Sequence, residues 1–247
     1  MIKLICFLYC IVFCVTVTAQ NIAFITNGRV EYERRLNQHK QLDDEEDNDW
    51  TRTMRKNFPK IVSDIYELRF TSNRSVYKLA QENTDNKYLW GSKPSDADVL
   101  VQNLNEHTIS MQRDVFEQTY LLQDTSRKLD WHITNETRTI AGFECRKAVT
   151  KICDSVYVVA FYTDQIAVSS GPESFSGLPG LILGLAVPRL YTTWFATKVE
   201  LIEPTTVQLN PKQKGKKTTW EKLHTDLNKA LSDWGKFGTK FLWMFLL

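Results

Sequence analysis

Six carboxylates crowd into residues 43–49, DDEEDND: Asp43, Asp44, Glu45, Glu46, Asp47 and Asp49. Hard cations take oxygen ligands, so such a run could gather them. An EF-hand loop would also need a central glycine and a distal glutamate, and neither stands at the required spacing. The run therefore reads as a solvated acidic loop. His39 lies just ahead of it and is a conceivable transition-metal partner. His107, His132 and His224 are scattered, and no His-x-x-x-His pair occurs. His132 follows Trp131 on an expected strand, which points the two side chains to opposite faces.

Nucleophile chemistry has less behind it. Ser174 and Ser176 stand in GPESFSG, without the Gly-x-Ser-x-Gly frame of a nucleophile elbow. No phosphate-cradling loop and no dinucleotide glycine pattern occurs. Carboxylate pairs such as Asp114 and Glu117 arise in any chain of this size. The sequence thus offers no catalytic motif and implies neither cofactor nor metal. Cys145 and Cys153 match no zinc signature. If residues 154–155 make a two-residue hairpin, both cysteines lie on one extended strand, roughly 26 Å apart. A disulfide needs Cα atoms within about 7 Å, so none is expected.

These side chains sit in a chain of 247 residues, 43% hydrophobic and 24% charged, with a formal charge of +2. That balance provides no concentrated basic face, so nucleic acid is not an expected partner. The N-terminus, MIKLICFLYCIVFCVTVTAQ, has Lys3, an apolar core over 4–17 and small residues Thr18 and Ala19. This is the layout of a secretory signal, cleaved near Ala19, and the core is too short for a spanning helix. Cys6, Cys10 and Cys14 would leave with it. The expected organisation is a signal peptide over 1–19, a β domain over 20–205, and a basic linker with a C-terminal helix over 206–247.

The dominant period is two. Val30 and Tyr32 alternate with Arg29, Glu31 and Glu33. Tyr66, Leu68 and Phe70 share a face, turn at SNRS, and return through Val76, Tyr77 and Leu79. Tyr120 and Leu122 lead to an expected turn over 124–127, then Leu129, Trp131 and Ile133, and TNETR reads as a further turn. A late strand should carry Phe195, Val199 and Leu201 on one side. Successive hairpins predict a mainly β, α+β fold: a curved antiparallel meander, or half-barrel, with one buried face. Residues 49–58 form a candidate short helix. A better one starts at TTWE, with Thr218 as cap and Glu221 completing a capping box. Trp220, Leu223, Leu227, Leu231 and Trp234 recur there at helical spacing. The terminal FLWMFLL is too short to span a bilayer. It could dock on the protein's own sheet, touch a membrane peripherally, or enter a partner's groove. Self-docking is favoured, because the preceding helical face already needs a core.

The segment 171–185, GPESFSGLPGLILGL, combines turn residues with a run of leucines. Gly171-Pro172 and Pro179-Gly180 signal turns, and Gly177 and Gly180 allow close backbone approach or positive φ. Leu178, Leu181, Ile182 and Leu183 are too apolar for a solvated loop. The segment is expected to fold as a hairpin-like lip over the mouth of the sheet. It serves either as a plug for the protein's own core or as a lid over an apolar ligand cavity.

Gly177-Leu178-Pro179-Gly180-Leu181-Ile182, with AGFECRKA and VVAFYTDQIAVS ahead of it, resembles the GLPGLI family of secreted Bacteroidota proteins. The likeness extends over roughly 108–231, through YLLQDTSRKLDWHITNETRTIAGFECRKA and GKKTTWEKLHTDL. Glu173 departs from it, standing near a position where the family usually has tryptophan; Cys153 and the FLWMFLL tail are further departures. The resemblance implies a periplasmic or outer-membrane-associated protein working beside a TonB-dependent outer-membrane receptor, and it transfers no catalytic residue. The sheet also resembles the half-barrel of periplasmic lipoprotein carriers. The combined expectation is a binding or accessory module for a hydrophobic or amphipathic ligand, contacted by Phe175, Leu178, Pro179, Leu181, Ile182 and Trp194. A carrier for lipoprotein or outer-membrane clients is the alternative. A hydrolase or metal centre would require His39 or His132 to meet carboxylates in one pocket.

Overall fold

The computed structural model describes residues 25–43, 47–89, 93–153 and 155–247. The expected signal peptide, the centre of the acidic run (44–46) and Asp154 of the expected hairpin lie outside the described residues. The elements in chain order are β1 (Gly28–Asn37), α1 (Gln38–Leu42), α2 (Asp49–Asn57), β2 (Ile61–Phe70), β3 (Arg74–Gln81) and β4 (Val99–Asn103). Next come β5 (Thr108–Val115), β6 (Gln118–Thr125), β7 (His132–Ile140), β8 (Phe143–Ile152), β9 (Val156–Thr163) and β10 (Leu181–Val187). The chain ends with β11 (Thr192–Glu200), α3 (Thr206–Leu209), β12 (Lys216–Thr218), α4 (Trp220–Ala230) and α5 (Gly235–Phe245).

The fold is mainly β, as the period-two pattern requires: one open, curved sheet of 12 strands in the order β12-β6-β5-β4-β3-β2-β1-β11-β10-β9-β8-β7. Two antiparallel meanders build it. The first runs from β1 out to β6; the second runs from β7 inward to β11, which pairs with β1. β12, in the stretch expected to be only a linker, adds to β6 in parallel and makes the sheet mixed. Val30 and Tyr32 are fully buried, as their alternation predicts. Asp49–Asn57 forms the short helix expected over 49–58, started by an Asn48–Thr51 capping box.

Four local expectations are corrected. The turn over 124–127 is not a hairpin: β6 and β7 lie near opposite edges of the sheet, so 126–131 is a crossing between the meanders. TNETR is no turn but part of β7, whose pairing with β8 shifts register between Ile133 and Thr137. On β11 the buried face is Thr192, Trp194 and Ala196, while Leu201 is left exposed. The cap of α4 is Thr219, which accepts from the Lys222 amide, because Thr218 is already engaged in β12.

The α4 face buries Leu223, Leu227 and Leu231, but Trp234 does not continue it. A 3-10 turn over Ser232–Trp234 and Gly235, at φ +55°, redirects the chain. Trp234 instead meets Phe116 and Phe241 in an aromatic cluster. Phe241, Leu242, Phe245, Leu246 and Leu247 are buried in the same core as the sheet, so the apolar tail docks on its own protein. Cys145 on β8 and Cys153 just past its end are not joined by a disulfide. Among the described residues, no helix is long and apolar enough to cross a membrane.

The glycine-rich segment divides in two. Leu181 and Ile182 begin β10, a central strand paired with Thr163 and Tyr162 of β9. The preceding stretch 164–180 is the lip. It is an irregular loop rather than a hairpin, with one isolated bridge from Ile166 to Ile25. The two motif glycines answer different demands. At Gly180 an added Cβ would lie 2.0 Å from the Thr163 carbonyl oxygen, so the backbones touch there. At Gly177 the need is conformational, with φ +94° and ordinary space around it. Gly180→Ala is therefore expected to lower stability in urea unfolding by roughly 3 kcal/mol or more, by forcing strands apart. Gly177→Ala should cost only about 1–2 kcal/mol, the cost of a left-handed conformation for an L-residue.

Candidate functional site

The lip is held by buried polar contacts with strands of the first meander. Ser170 Oγ donates to Gln102 Oε1 of β4 at 2.8 Å and lies 2.8 Å from Ser75 Oγ of β3. Gln102 Nε2 donates to the Ser174 carbonyl at 3.3 Å. The Tyr32 hydroxyl donates to the Ile182 carbonyl at 2.6 Å. From the crossing segment, Trp131 Nε1 donates to the Ser176 carbonyl at 2.9 Å. These contacts place the lip against the crossing segment, with the start of α4 alongside.

A groove of about 760 Å³ opens along that junction, lined by Leu104, His107, Arg127, Leu129, Gly177 and Trp220 among others. Arg127 is its chemical centre. One guanidinium nitrogen, Nη2, donates to the Leu247 carbonyl at 2.7 Å and to Ser174 Oγ. The guanidinium carbon sits 4.5 Å above the Trp220 ring and 5.8 Å from Phe175. Burial pushes Arg127 down to about 10, because a desolvated cation is disfavoured. Its Nε and the Trp220 Nε1 are shielded from solvent and have no acceptor among the described residues. Trp220 is held there because its backbone amide donates to Asp124 Oδ2 at 2.9 Å, docking α4 onto β6.

Behind Ser174 the polarity continues inward. Glu173, buried and at φ +55°, accepts from Arg113 Nη2 of β5 at 2.7 Å. Arg113 Nη1 donates to the Met244 carbonyl of α5 at 3.1 Å. Burial opposes the charge of Arg113, but Glu173 and Asp98 outweigh it and hold the guanidinium above its usual range. Arg34 is raised in the same way: burial opposes it, and Tyr66 and Glu173 outweigh the cost. Asp98 lies 3.9 Å from Arg113 Nε, and burial pushes its carboxyl up to about 6.

The residues selected from the sequence distribute unevenly around this arrangement. Phe175, Leu178, Leu181, Ile182 and Trp194 are core, with Gly171, Pro172 and Gly180 buried beside them, whereas Pro179 and Gly177 are exposed. Of that set only Gly177 lines the groove, and Trp194 faces a separate interior cavity. His39 hydrogen-bonds the Phe58 carbonyl at 2.9 Å, and His132 is exposed on the β7 edge. No cluster of three or more metal-ligating side chains occurs among the described residues. Arg127, Trp220 and His107 are site residues that sequence reasoning misses. Arg127 falls in an expected turn, Trp220 in an expected helix core, and His107 among scattered histidines. Neighbours give no signal either: Arg127 stands between Ser126 and Lys128, and Trp220 between Thr219 and Glu221.

Residues 150–184, which include the lip, match the family described as Protein of unknown function (Porph_ging). No curated protein matches in sequence. Among solved structures the chain is similar to PNGF-II in two crystal forms, both at TM-score 0.51. The identities are 17% and 16%, covering 78% and 88% of this chain. The chain spans about a third of that protein's length, 32% and 33%. An uncharacterized conserved protein from Thermus thermophilus aligns at TM-score 0.41 and 6% identity, over 79% of this chain and 91% of its own. At 16–17% identity the likeness to PNGF-II speaks to fold alone.

Asp98 gives the site a pH dependence of definite sign. Its folded value, about 6, lies above the roughly 3.9 of an unfolded aspartate. Between those values the folded state binds more protons. The Asp98 contribution is thus fully present below about pH 4 and lost as pH rises through about 6. Asp98→Asn should remove that loss, so its stability advantage over wild type grows from pH 4 to pH 7, by roughly 3 kcal/mol at most. Urea unfolding across that range measures it, and Asp98 should titrate near pH 6 by carboxyl NMR.

Proposed function

We propose that this protein is a secreted binding module that receives an amphipathic, acceptor-bearing ligand in the groove between lip, crossing segment and α4. The observation that carries this reading is a groove of about 760 Å³ whose lining sets the Arg127 guanidinium, 4.5 Å above the Trp220 ring, beside Leu104 and Leu129. That size suits a small ligand, since such pockets run from about 300 to 1,000 Å³. The apolar stretch of Leu104, Leu129 and the Trp220 ring would take a hydrocarbon body. Arg127 would take an anionic head, with Lys128 at the margin adding attraction. The lip is then a fixed wall of the site, since its leucines are already spent in the core.

The cell biology of this reading comes from the resemblance to the GLPGLI family. On that resemblance the module works in the periplasm or at the outer-membrane periphery after cleavage near Ala19, together with a TonB-dependent outer-membrane receptor. A carrier for lipoprotein or outer-membrane clients would require a wider apolar channel than the groove provides.

Isothermal titration of the purified protein with laurate tests the ligand class. Saturable binding is expected, with little response to dodecanol. Arg127→Met should weaken laurate by about tenfold or more, the worth of a hydrogen bond to a charged group. Because Arg127 also fastens Ser174, Trp220→Phe provides a gentler change that keeps the aromatic wall and removes one donor. Equal laurate affinity in wild type and both folded variants would overturn the proposal.

A further inference from the structure

A recess of about 470 Å³ that shares no residue with the groove lies where β8 turns into β9 and β10 leads into β11. One wall is a stripe of α5. Lys236, Thr239, Lys240 and Trp243 recur there at i, i+3, i+4 and i+7, so they share a face, while Phe241, Leu242 and Phe245 are buried in the core. The facing wall is Ser155 from the β8–β9 turn, with Arg189 and Tyr191 from the 3-10 turn Pro188–Leu190 and its cap. Tyr191 holds its place at φ +52°, a conformation that glycine or asparagine takes more easily.

The lining carries three cations and, among the described residues, no carboxylate. Arg189 and Lys236 are exposed and form no ion pair with any described residue. The Arg189 guanidinium stands 5.5 Å from the Trp243 ring centroid. Lys240 Nζ lies 3.4 Å from the Gln41 carbonyl of α1, and Asp43 beyond it is held by Lys40 and Arg55, each at 2.9 Å. Lys236 and Lys240 are four positions apart on one helix, where like charges repel. Arg189 brings a third positive charge to the same concave surface, which concentrates the field there. Folding gains nothing from this grouping, whereas an anion in the recess relieves it. The Ser155 and Thr239 hydroxyls are 3.5 Å from the Cys153 and Gly235 carbonyls. Those contacts are long for a hydroxyl and readily exchanged for a stronger acceptor.

We propose that this recess binds a phosphate monoester, separately from the groove and without dependence on its ligand. A phosphate monoester carries a charge of about −1.5 to −2 and three strong acceptor oxygens, which suits three cations better than the single charge of a carboxylate. The arginine fork matches two of those oxygens, and the lysines add point charges. A recess of about 470 Å³ has room beyond the phosphate, within the roughly 300–1,000 Å³ of small-molecule sites. The Trp243 and Tyr191 rings supply the surface on which the rest of the ester, a sugar ring or a glycerol backbone, would lie.

Two probes separate the sources of such a group. Glucose 6-phosphate is titrated calorimetrically at constant ionic strength, and phosphatidylcholine vesicles with and without phosphatidate are tested by co-sedimentation. Saturable binding in one arm is expected, and the arm that saturates identifies the source as soluble or lipid. Glucose and plain phosphatidylcholine should give no response. Lys236→Gln and Arg189→Gln alter exposed side chains and should fold, and each should weaken that binding about fivefold. Arg127→Met, which disables the groove, should leave it unchanged, so failure there and failure here are separable. Absence of binding in both arms, or equal affinity in wild type and both variants, would overturn the proposal. An equal response to glucose 6-sulfate, or to phosphatidylglycerol in the vesicles, would overturn the phosphate-monoester assignment.

Discussion

Two serines and a glutamine, Ser75, Ser170 and Gln102, all but excluded from water, tie the lip to the first meander. The rest of the structure depends on that knot because the sheet is open. Its edges, β7 and β12, do not pair with each other. A curved sheet with a free mouth must have its inner face covered by something. Here the cover is irregular chain: the lip over 164–180 and the crossing over 126–131, together with the helices that follow β12. Irregular backbone can be buried only if its amides and carbonyls find partners. Gln102 supplies one for Ser174 and Trp131 one for Ser176. Each such bond is worth only about 1 kcal/mol net, but its absence would strand a buried group at about 1–3 kcal/mol. The knot therefore works chiefly by making burial of the lip tolerable, and the leucines supply the drive.

The same covering segments converge on two arginines. Arg113 holds Glu173 of the lip and the Met244 carbonyl of α5; Arg127 holds Ser174 of the lip and the Leu247 carbonyl. Lip, tail and sheet are thus cross-linked by guanidinium groups, which carry five donors in a fixed fork. Desolvating a cation costs several kcal/mol, and apolar packing of the same volume commonly stabilises as well or better. Stability alone therefore gives little reason to put arginine at both places; what the two guanidinium groups supply is cross-linking of lip, tail and sheet.

Much of the sheet is legible in the residues, and the limits are physical. Alternation at Val30–Tyr32 and Tyr66–Leu68–Phe70 identifies the buried face, because side chains on a strand point to opposite sides in turn. Alternation carries no information on which strand is the neighbour. Residues 120–133 have the same pattern whether they fold as a hairpin or, as here, step from one edge of the sheet to the other. Residues 171–185 read as a capping lip because their glycines interrupt a strand pattern, although Leu181 onward is strand. In the fold Gly184 lies between Phe195 and Ile140, where a Cβ would come within 2.8 Å of the Phe195 ring. The site itself is hidden for a related reason. Arg127 and Trp220 are 93 positions apart in sequence (220 − 127), and only the docking of α4 on β6 brings them into contact.

Glu173 concentrates the argument. It stands near a position where the resembled family carries tryptophan, in a left-handed conformation at φ +55° that costs an L-residue about 1–2 kcal/mol. It is also a buried acid, which adds desolvation to that strain. An apolar side chain there would avoid the second cost and fill the space between lip and β5. The carboxylate nevertheless persists, aimed at Arg113 and within the wall of the cavity that Tyr77 and Trp194 line. It takes Arg113 Nη2 while Asp98 lies 3.9 Å from Nε, and the two acids let Arg34 and Arg113 coexist in the interior.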